Sequence, residues 1–166
     1  MTDLKYFRLY ADVPVPEYQT NSSACFDLSA YLKDQTIVVW KYEQKQNLLV
    51  LNENQFTVYD NERVLIPTGL IFDIPVGYSV RLHPRSGCSL KLGLVLANQE
   101  GIVDEDYIDP VFIMVHNLSG SSFIIKHGER IAQAELVKDE RASLLETKER
   151  PLPKGNRSGG LGSTGI

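Results

Sequence analysis

The sequence predicts an all-β protein, a sandwich or jelly roll, with one short helix and a flexible glycine-rich C-terminus. Short runs rich in valine, isoleucine, tyrosine and phenylalanine recur along the chain between turn residues. Only one segment carries helical signals. The last twelve residues hold five of the twelve glycines, so little of that segment can form a packed structure alone.

The strand predictions rest on β-branched and aromatic content in short segments bounded by turns. The predicted strands cover residues 5–10, 36–40, 47–51, 55–59, 63–67, 71–74, 78–82, 94–97, 111–116, 122–126 and 130–136. Residues 111–115 are apolar at every position, which predicts a strand covered on both faces. We expect a second copy of the chain to cover one of these faces, so the strand indicates a homo-oligomer.

The rest of the chain divides into a helix, a surface excursion and a tail. The helix is predicted over residues 86–92, after Pro84 at the end of a strand. Residues 33–60 are predicted to form a polar hairpin excursion on a β domain of residues 1–154. Residues 155–166 are predicted either to be disordered or to act as a mobile lid whose glycine amides wrap an anion.

Composition and charge exclude several classes of protein. Hydrophobic residues make up 43% and charged residues 23% of the 166, as in a globular domain. Seventeen basic against 21 acidic side chains give a net charge of −4, which argues against stable nucleic-acid binding. No run approaches the ~18 apolar residues of a membrane span. The two cysteines are widely spaced and predict neither a disulfide scaffold nor a zinc site. We therefore expect a cytoplasmic protein.

An anion site is predicted around the helix start. Arg85 can donate two parallel hydrogen bonds to phosphate oxygens, Ser86 can donate another, and Gly87 permits close approach of the backbone. A simple turn would explain the same residues. Gln133, at the start of a later strand, could donate toward the same phosphate, and Asp27 could orient a hydrated Mg²⁺ or merely bind turn amides.

An acidic cluster follows the apolar residues Ile102 and Val103. Strand alternation would place Asp104 and Asp106 on one face, and the two β-branched neighbours predict a partly buried Asp104 able to act as a general base. A solvated acidic turn is the competing interpretation. Tyr107 could equally be a packing residue.

Five segments together resemble the motifs of the trimeric dUTPases. In chain order they read ACFDLSAY, PRSGCSLK, the run from Asn98 through GIVDEDY, GERIAQ and GGLGSTG. Each segment alone is a weak signal, but five in the family order extend over residues 24–165. The chain is therefore similar to this family over nearly its whole length.

The resemblance implies a homotrimer of distorted jelly-roll β-barrel subunits with three active sites between chains. It implies a dUTP diphosphatase that forms dUMP and pyrophosphate, limits uracil in DNA and supplies dUMP for dTMP synthesis. Asp104 would orient and deprotonate the water that attacks the α-phosphate. Mg²⁺ would bridge the triphosphate, with Asp27 acting through metal-bound water, and residues 155–166 would close over the nucleotide.

The resemblance also assigns the substrate contacts. The phosphate positions correspond to Arg85, Ser86, Gly87, Gln133, Arg157, Ser163 and Thr164. The uracil and deoxyribose positions correspond to Asn98, Gly101, Val103, Tyr107 and Leu161. Tyr107 would leave no room for a 2′-hydroxyl, and Asn98 would help the backbone to read the uracil edge.

Four departures from the family pattern keep other functions open. Cys25 stands where the first motif usually has glycine, and residues 108–110 read Ile-Asp-Pro where the family commonly has arginine or glutamine followed by glycine. In the fifth motif, Leu161 replaces the aromatic residue that stacks on the base, and Asn156 stands where the phosphate-binding arginine is common. The alternatives are a nucleotide-gated binding or regulatory module with residues 33–60 as its protein-docking surface, a pyrophosphatase of altered base preference, and a dCTP deaminase relative. Gly87, in place of a second serine, argues against the deaminase.

Overall fold

The structure, a computed structural model, describes residues 2–49 and 54–155. The predicted lid lies outside the described residues except for Gly155. The same is true of four candidate site residues of the tail: Arg157, Leu161, Ser163 and Thr164.

Within the described residues the chain forms thirteen strands and one helix, which confirms the predicted all-β class. The strands are β1 (Lys5–Arg8), β2 (Phe26–Ser29), β3 (Thr36–Lys41), β4 (Gln44–Leu49), β5 (Gln55–Val58), β6 (Arg63–Pro67), β7 (Leu70–Asp73), β8 (Tyr78–Pro84), β9 (Leu94–Leu96), β10 (Gly101–Val103), β11 (Phe112–Asn117), β12 (Phe123–Lys126) and β13 (Arg130–Lys138). The helix, α1 (Ser86–Leu92), has the predicted bounds. It ends at Gly93, whose φ of 63° is a left-handed conformation that glycine adopts without strain.

The strands pair antiparallel in two large and two small sheets. The four-stranded sheet has the order β10-β8-β13-β2, and the five-stranded sheet has the order β4-β3-β6-β11-β9. β1 pairs with β7, and β12 pairs with β5. Their inward side chains pack into one apolar core. The described residues include no helix long and apolar enough to cross a membrane.

The five-stranded sheet has a buried apolar inner face and a largely apolar outer face. Its inward residues on β11, Ile113 and Val115, are completely buried. Its outward side chains on β3, β6 and β11 are mostly apolar, namely Val38, Trp40, Leu65, Phe112 and Met114, with the cation Arg63 in the same groove. Phe112 is 38% and Met114 41% exposed, and a groove of about 340 Å³ runs along this face. The chain therefore covers one apolar face of β11 and leaves the other open.

A β-bulge at the start of β13 shapes the outer face of the four-stranded sheet. The pairing with β2 shifts between Arg130 and Ala132, so that Ile131 and Ala132 both point into the core. Arg130 thereby turns to the outer face, where Asp27 and Gln133 lie opposite each other on β2 and β13.

Residues 33–60 contribute to the core as well as to the surface. β3 and β4 form a hairpin whose turn residues, Tyr42 and Glu43, both have positive φ. Ile37 and Val39 of β3 are buried, as is Val58 of β5. Among the described residues of the segment, the hairpin turn and the edge strand β4 form the longest exposed stretch.

Candidate active site

A polar cavity of about 460 Å³ opens where the end of β8, the start of α1 and the outer face of β2 and β13 meet. Five predicted site residues line it: Asp27, Arg85, Ser86, Gly87 and Gln133. Strand register explains the gathering, because Asp27 pairs with Gln133, Gln133 pairs with His83, and Arg85 follows two residues later. We call this space the cradle.

Asp27 is the buried centre of the cradle, and both of its carboxylate oxygens accept hydrogen bonds from arginines. Arg85 Nε donates to Oδ1 at 2.9 Å, and Arg130 Nη1 donates to Oδ2 at 3.0 Å. Arg85 Nη1 also donates to the backbone carbonyl of Arg130 at 3.0 Å. One carboxylate between two guanidinium groups leaves an excess positive charge beside the cavity, which suits a bound anion.

Gln133, Ser86 and Gly87 add polar groups to the cradle, and the Gln133 side chain is held in place by a hydrogen bond. The Gln133 side chain donates one amide hydrogen to the Pro84 carbonyl at 3.1 Å, which leaves its second amide hydrogen for a ligand. Ser86 opens α1. A Cβ placed on Gly87 would meet no atom within 4 Å, so this residue faces open space where a phosphate could approach the backbone.

Cys25 also lines the cradle, in the position where the family pattern has glycine. Burial raises the pKa of its thiol, and the nearby carboxylates of Glu135 and Asp27 raise it further. The thiol therefore stays neutral at physiological pH. It adds no negative charge to the cradle.

A second cavity, of about 250 Å³, lies beside β10 and is lined mainly by apolar side chains. Its lining is Leu65, Leu82, Asn98, Gly101, Ile102, Val103, Tyr107, Val111, Phe112 and Met114. Four of these are predicted uracil or deoxyribose residues: Asn98, Gly101, Val103 and Tyr107. Apolar walls with a side-chain amide are suited to a flat, polar-edged ring. We call this space the base pocket.

Gly101 and Tyr107 shape the base pocket in different ways. A Cβ on Gly101 would lie 3.0 Å from Leu82 Cβ and 3.5 Å from Asn98 Nδ2, so any larger residue would crowd the pocket wall. The Tyr107 hydroxyl donates to the Pro110 carbonyl at 3.0 Å, which fixes the ring across the loop. Burial raises the pKa of Tyr107, with a smaller effect from Asp109, so the hydroxyl remains a donor at neutral pH.

Asp104 follows β10 directly and lines neither cavity. It is exposed, and the Tyr107 N–H donates to its carbonyl at 3.1 Å, which closes a turn. The predicted partial burial of Asp104 is wrong for the single chain. Burial alternates along β10, with Gly101 and Val103 buried and Ile102 exposed, so Asp104 falls on the exposed side as the chain enters the turn. Glu105 anchors this turn by accepting a hydrogen bond from the Gly77 N–H.

The candidate site residues within the described part of the chain therefore form two groups. The cradle holds the predicted phosphate residues, and the base pocket, with Asp104 beside it, holds the predicted base and sugar residues. The two cavities share no lining residue. One chain does not bring Asp104 and Arg85 into a common cavity.

The donor set limits how a metal ion could be held. The described residues contain no cluster of three or more histidine, cysteine, aspartate or glutamate side chains that could form a metal site alone. Each Asp27 oxygen already accepts one arginine hydrogen bond but has a second lone pair. This arrangement fits a Mg²⁺ ion held mainly by phosphate oxygens and water, with Asp27 reaching it through water.

The comparison with known proteins decides the family. The family model for dUTPase matches residues 48–165. The chain belongs to the dUTPase family. Curated dUTPases agree: the deoxyuridine 5′-triphosphate nucleotidohydrolase of Caulobacter vibrioides is 35% identical over 94% of this chain and 88% of its own length. The enzyme of the same name from Finegoldia magna is 37% identical over 92% of both chains.

Solved dUTPase structures have the same fold, which confirms the expected jelly-roll-like dUTPase architecture. A Staphylococcus bacteriophage 80alpha dUTPase, solved with dUpNHpp, aligns over the whole of both chains with a TM-score of 0.76 and 21% identity. The Streptococcus mutans dUTPase aligns over 86% of this chain and 99% of its own, with a TM-score of 0.66 and 22% identity. A dUTPase from phage phi11 of S. aureus, with a TM-score of 0.69 and 20% identity, is described as coordinating a structural Mg(II) ion.

The sequence did not identify Arg130 as a residue of this dUTPase-family site. Its contact with Asp27 depends on the bulge in β13. The signal for that bulge is the pair of adjacent apolar residues, Ile131 and Ala132, and it is a weak one because Leu136 and Val137 form a second such pair in the same strand. The apolar walls of the base pocket were also missed. Leu65 lies on β6, far from any motif in sequence, and Phe112 and Met114 lie on β11, just outside the third motif.

Proposed function

We propose that this protein is a homotrimeric dUTP diphosphatase that hydrolyses dUTP to dUMP and pyrophosphate. The observation that carries the proposal is the cradle, where three motifs of a dUTPase-family chain supply Asp27, Arg85, Ser86, Gly87 and Gln133 to one cavity. Hydrolysis of this substrate limits uracil incorporation into DNA and supplies dUMP.

The reaction requires one proton acceptor and one positioned water. The Asp104 carboxylate accepts a proton from water as the water oxygen bonds to the α-phosphorus. The bond between the α-phosphorus and the bridging oxygen breaks, and pyrophosphate leaves with the electron pair. Exposure of Asp104 at the end of a short strand leaves its carboxylate free to meet a substrate held partly by another chain.

Phosphate binding supplies the electrostatic part of catalysis. Arg85, with the neighbouring Ser86 and Gly87 and the free amide hydrogen of Gln133, stabilises the charge of the triphosphate. In phosphoryl transfer, such positioning and charge neutralisation account for most of the rate acceleration. Arg157, Ser163 and Thr164 are proposed to add phosphate contacts, and Leu161 is proposed to cover the base when the tail closes.

Mg²⁺ is the proposed cofactor. When bound, it neutralises phosphate charge and fixes the triphosphate conformation. Asp27 would hold it through water, since both carboxylate oxygens are also engaged with arginines. Asp27 thus orients the arginines and the hydrated ion on the same side of the cradle.

The base pocket selects the nucleoside. Asn98 and the backbone around Gly101 present donors and acceptors to the uracil edge, and a base of different polarity would leave some of these groups unpaired. Val103 and Tyr107 bound the space for the deoxyribose. The Tyr107 ring is the proposed barrier to a 2′-hydroxyl.

Replacing Tyr107 by alanine is expected to raise the rate on UTP relative to dUTP by about 10- to 200-fold, because the ring that fills the 2′ position is removed. Steady-state kinetics on both nucleotides measures the ratio. Tyr107→Phe is the matched control: it loses only the hydrogen bond to Pro110 and should keep the wild-type ratio. An unchanged ratio in Tyr107→Ala would remove this residue from sugar discrimination.

The open apolar face of the five-stranded sheet supports the proposed trimer. Met114 lies on this face, midway between β6 and β9, and 41% of it is exposed in the single chain. A trimer would also bring the base pocket of one copy next to the cradle of another. This is the arrangement that the separation of Asp104 from Arg85 requires.

Replacing Met114 by glutamate is expected to convert the trimer to monomers, because the assembly would bury a charge on a largely apolar face, where an ion pair with Arg63 would not repay the cost of desolvation. The mass measured by sedimentation should fall from three times the chain mass of 18.7 kDa to the mass of a single chain. Tyr42→Glu, on the exposed turn between β3 and β4, introduces the same charge and should remain trimeric. A Met114→Glu protein that sediments as a trimer would place the subunit interface elsewhere.

The proposed function is tested by pyrophosphate release from dUTP, dCTP, dTTP and UTP at equal concentration, with Mg²⁺ and with EDTA. Strong Mg²⁺-dependent release from dUTP alone is the expected result. Release from another base would indicate a pyrophosphatase of altered specificity. A folded trimer that binds dUTP without turnover would instead favour the regulatory module, with the exposed hairpin turn and β4 as its docking surface.

A further inference from the structure

We propose that Arg130 is a positioning residue of the cradle, which holds Arg85 in the orientation that receives the phosphates. The proposal deepens the proposed function and depends on it only for the identity of the anion. Arg130 acts both through its side chain, which holds Asp27, and through its backbone carbonyl, which holds Arg85 directly.

The three residues close a ring of hydrogen bonds, which we call the arginine ring. Arg85 Nε donates to Asp27 Oδ1 at 2.9 Å, Arg130 Nη1 donates to Asp27 Oδ2 at 3.0 Å, and Arg85 Nη1 donates to the Arg130 carbonyl at 3.0 Å. Two nitrogens of the Arg85 guanidinium are thus fixed. A long side chain that is already ordered loses less freedom when it binds an anion.

Charge explains why the ring needs its second arginine. The Asp27 side chain is only 9% exposed, and a buried carboxylate has to be neutralised by a partner. If Arg85 were the sole partner, binding a phosphate would force it to share its charge between two anions. Arg130 neutralises Asp27 from the other oxygen, so the charge of Arg85 remains available to the substrate.

The backbone fixes Arg130 at this place. Just before it, the Gly128 N–H donates to the Ala30 carbonyl at 2.8 Å, and the Ala30 N–H donates to the Glu129 carbonyl at 2.9 Å. Just after it, the bulge buries Ile131 beside Ala132. The chain is therefore anchored on both sides of the carbonyl that accepts the bond from Arg85.

Calorimetric binding of inorganic tripolyphosphate tests the proposal without relying on catalysis. We expect Arg130→Met to weaken tripolyphosphate binding by about tenfold or more, Arg130→Lys to restore part of the loss, and deoxyuridine binding to be unchanged. The control is Lys5→Met, which removes a cation from an exposed ion pair with Asp73 on a different sheet. In dUTP hydrolysis, Arg130→Met should raise KM more than it lowers kcat.

A double-mutant cycle identifies the route of the effect. If Arg130 acts through the arginine ring, Arg130→Met should cost much less affinity in an Asp27→Asn background than in the wild type. The proposal would be overturned if Arg130→Met kept full affinity for tripolyphosphate, or if it lost deoxyuridine binding to the same extent. It would also be overturned if the affinity losses of Arg130→Met and Asp27→Asn were simply additive. A wild-type protein that does not bind tripolyphosphate would overturn it as well. The wild-type protein could bind tripolyphosphate without hydrolysing dUTP. If Arg130→Met then loses tripolyphosphate binding, the arginine ring is supported and only the proposed function is refuted.

Discussion

Asp104→Asn is expected to lower kcat for dUTP by about 10²- to 10⁴-fold, because the amide cannot accept the proton of the attacking water. Binding of a non-hydrolysable dUTP analogue should be retained, since Asp104 lines neither the cradle nor the base pocket. The trimer should also be retained. Single-turnover kinetics with calorimetry separates the chemical step from binding.

The matched control is Asp106→Asn, which removes an equally exposed carboxylate from the same turn. It should keep turnover close to that of the wild type. Near-normal turnover in Asp104→Asn would remove Asp104 from the mechanism. Equal losses of turnover in the two variants would indicate that the negative charge of the turn, and not one proton acceptor, determines the rate.

Arg85→Met is expected to lower kcat/KM for dUTP by about 10²- to 10³-fold, the usual effect of losing one charge-stabilising donor. The variant also leaves the buried Asp27 with Arg130 as its only charged partner. Asp27 then faces the cradle with no excess positive charge nearby. Both effects oppose triphosphate binding, so the loss should appear in analogue affinity as well as in rate.

Two further variants test whether the loss of activity is specific to the Arg85 guanidinium. Arg85→Lys keeps the charge but lacks the planar pair of donors, so its activity should lie between those of Arg85→Met and the wild type. Lys91→Met removes a cation from the same helix, outside the cradle, and should have little effect. If Arg85→Met and Lys91→Met behave alike, the cradle is not the phosphate site.

Much of the fold could be predicted because its signals are local. α1 was predicted at its observed bounds, since Pro84 precedes it and Gly93 ends it. The apolar run of residues 111–115 predicted a strand covered on both faces. One face of β11 is buried in the core, and the cover on the face of Phe112 and Met114 stays a prediction. The strands β2 and β10 were not predicted as strands, because segments of three or four residues have too little alternation to be distinguished from loops.

The candidate site was less predictable, because its geometry depends on contacts between distant segments. Motif order identified Asp27, Arg85 and Gln133, but nothing local indicated that one carboxylate would bridge two arginines. The exposure of Asp104 depends on which face of β10 packs on the core, and a strand of three residues has too little alternation to show this. Arg130 required both the bulge in β13 and the position of Asp27 on its partner strand.

The separation of the cradle from the base pocket has a genetic consequence. A substitution at Asp104 removes the proposed proton acceptor beside the base pocket and leaves the cradle intact, and a substitution at Arg85 does the reverse. In the proposed trimer, a site between two such defective copies can receive the cradle of one copy and the proton acceptor of the other. Two alleles that are inactive alone would then complement one another when co-expressed, whereas a single allele defective in both halves would be complemented by neither.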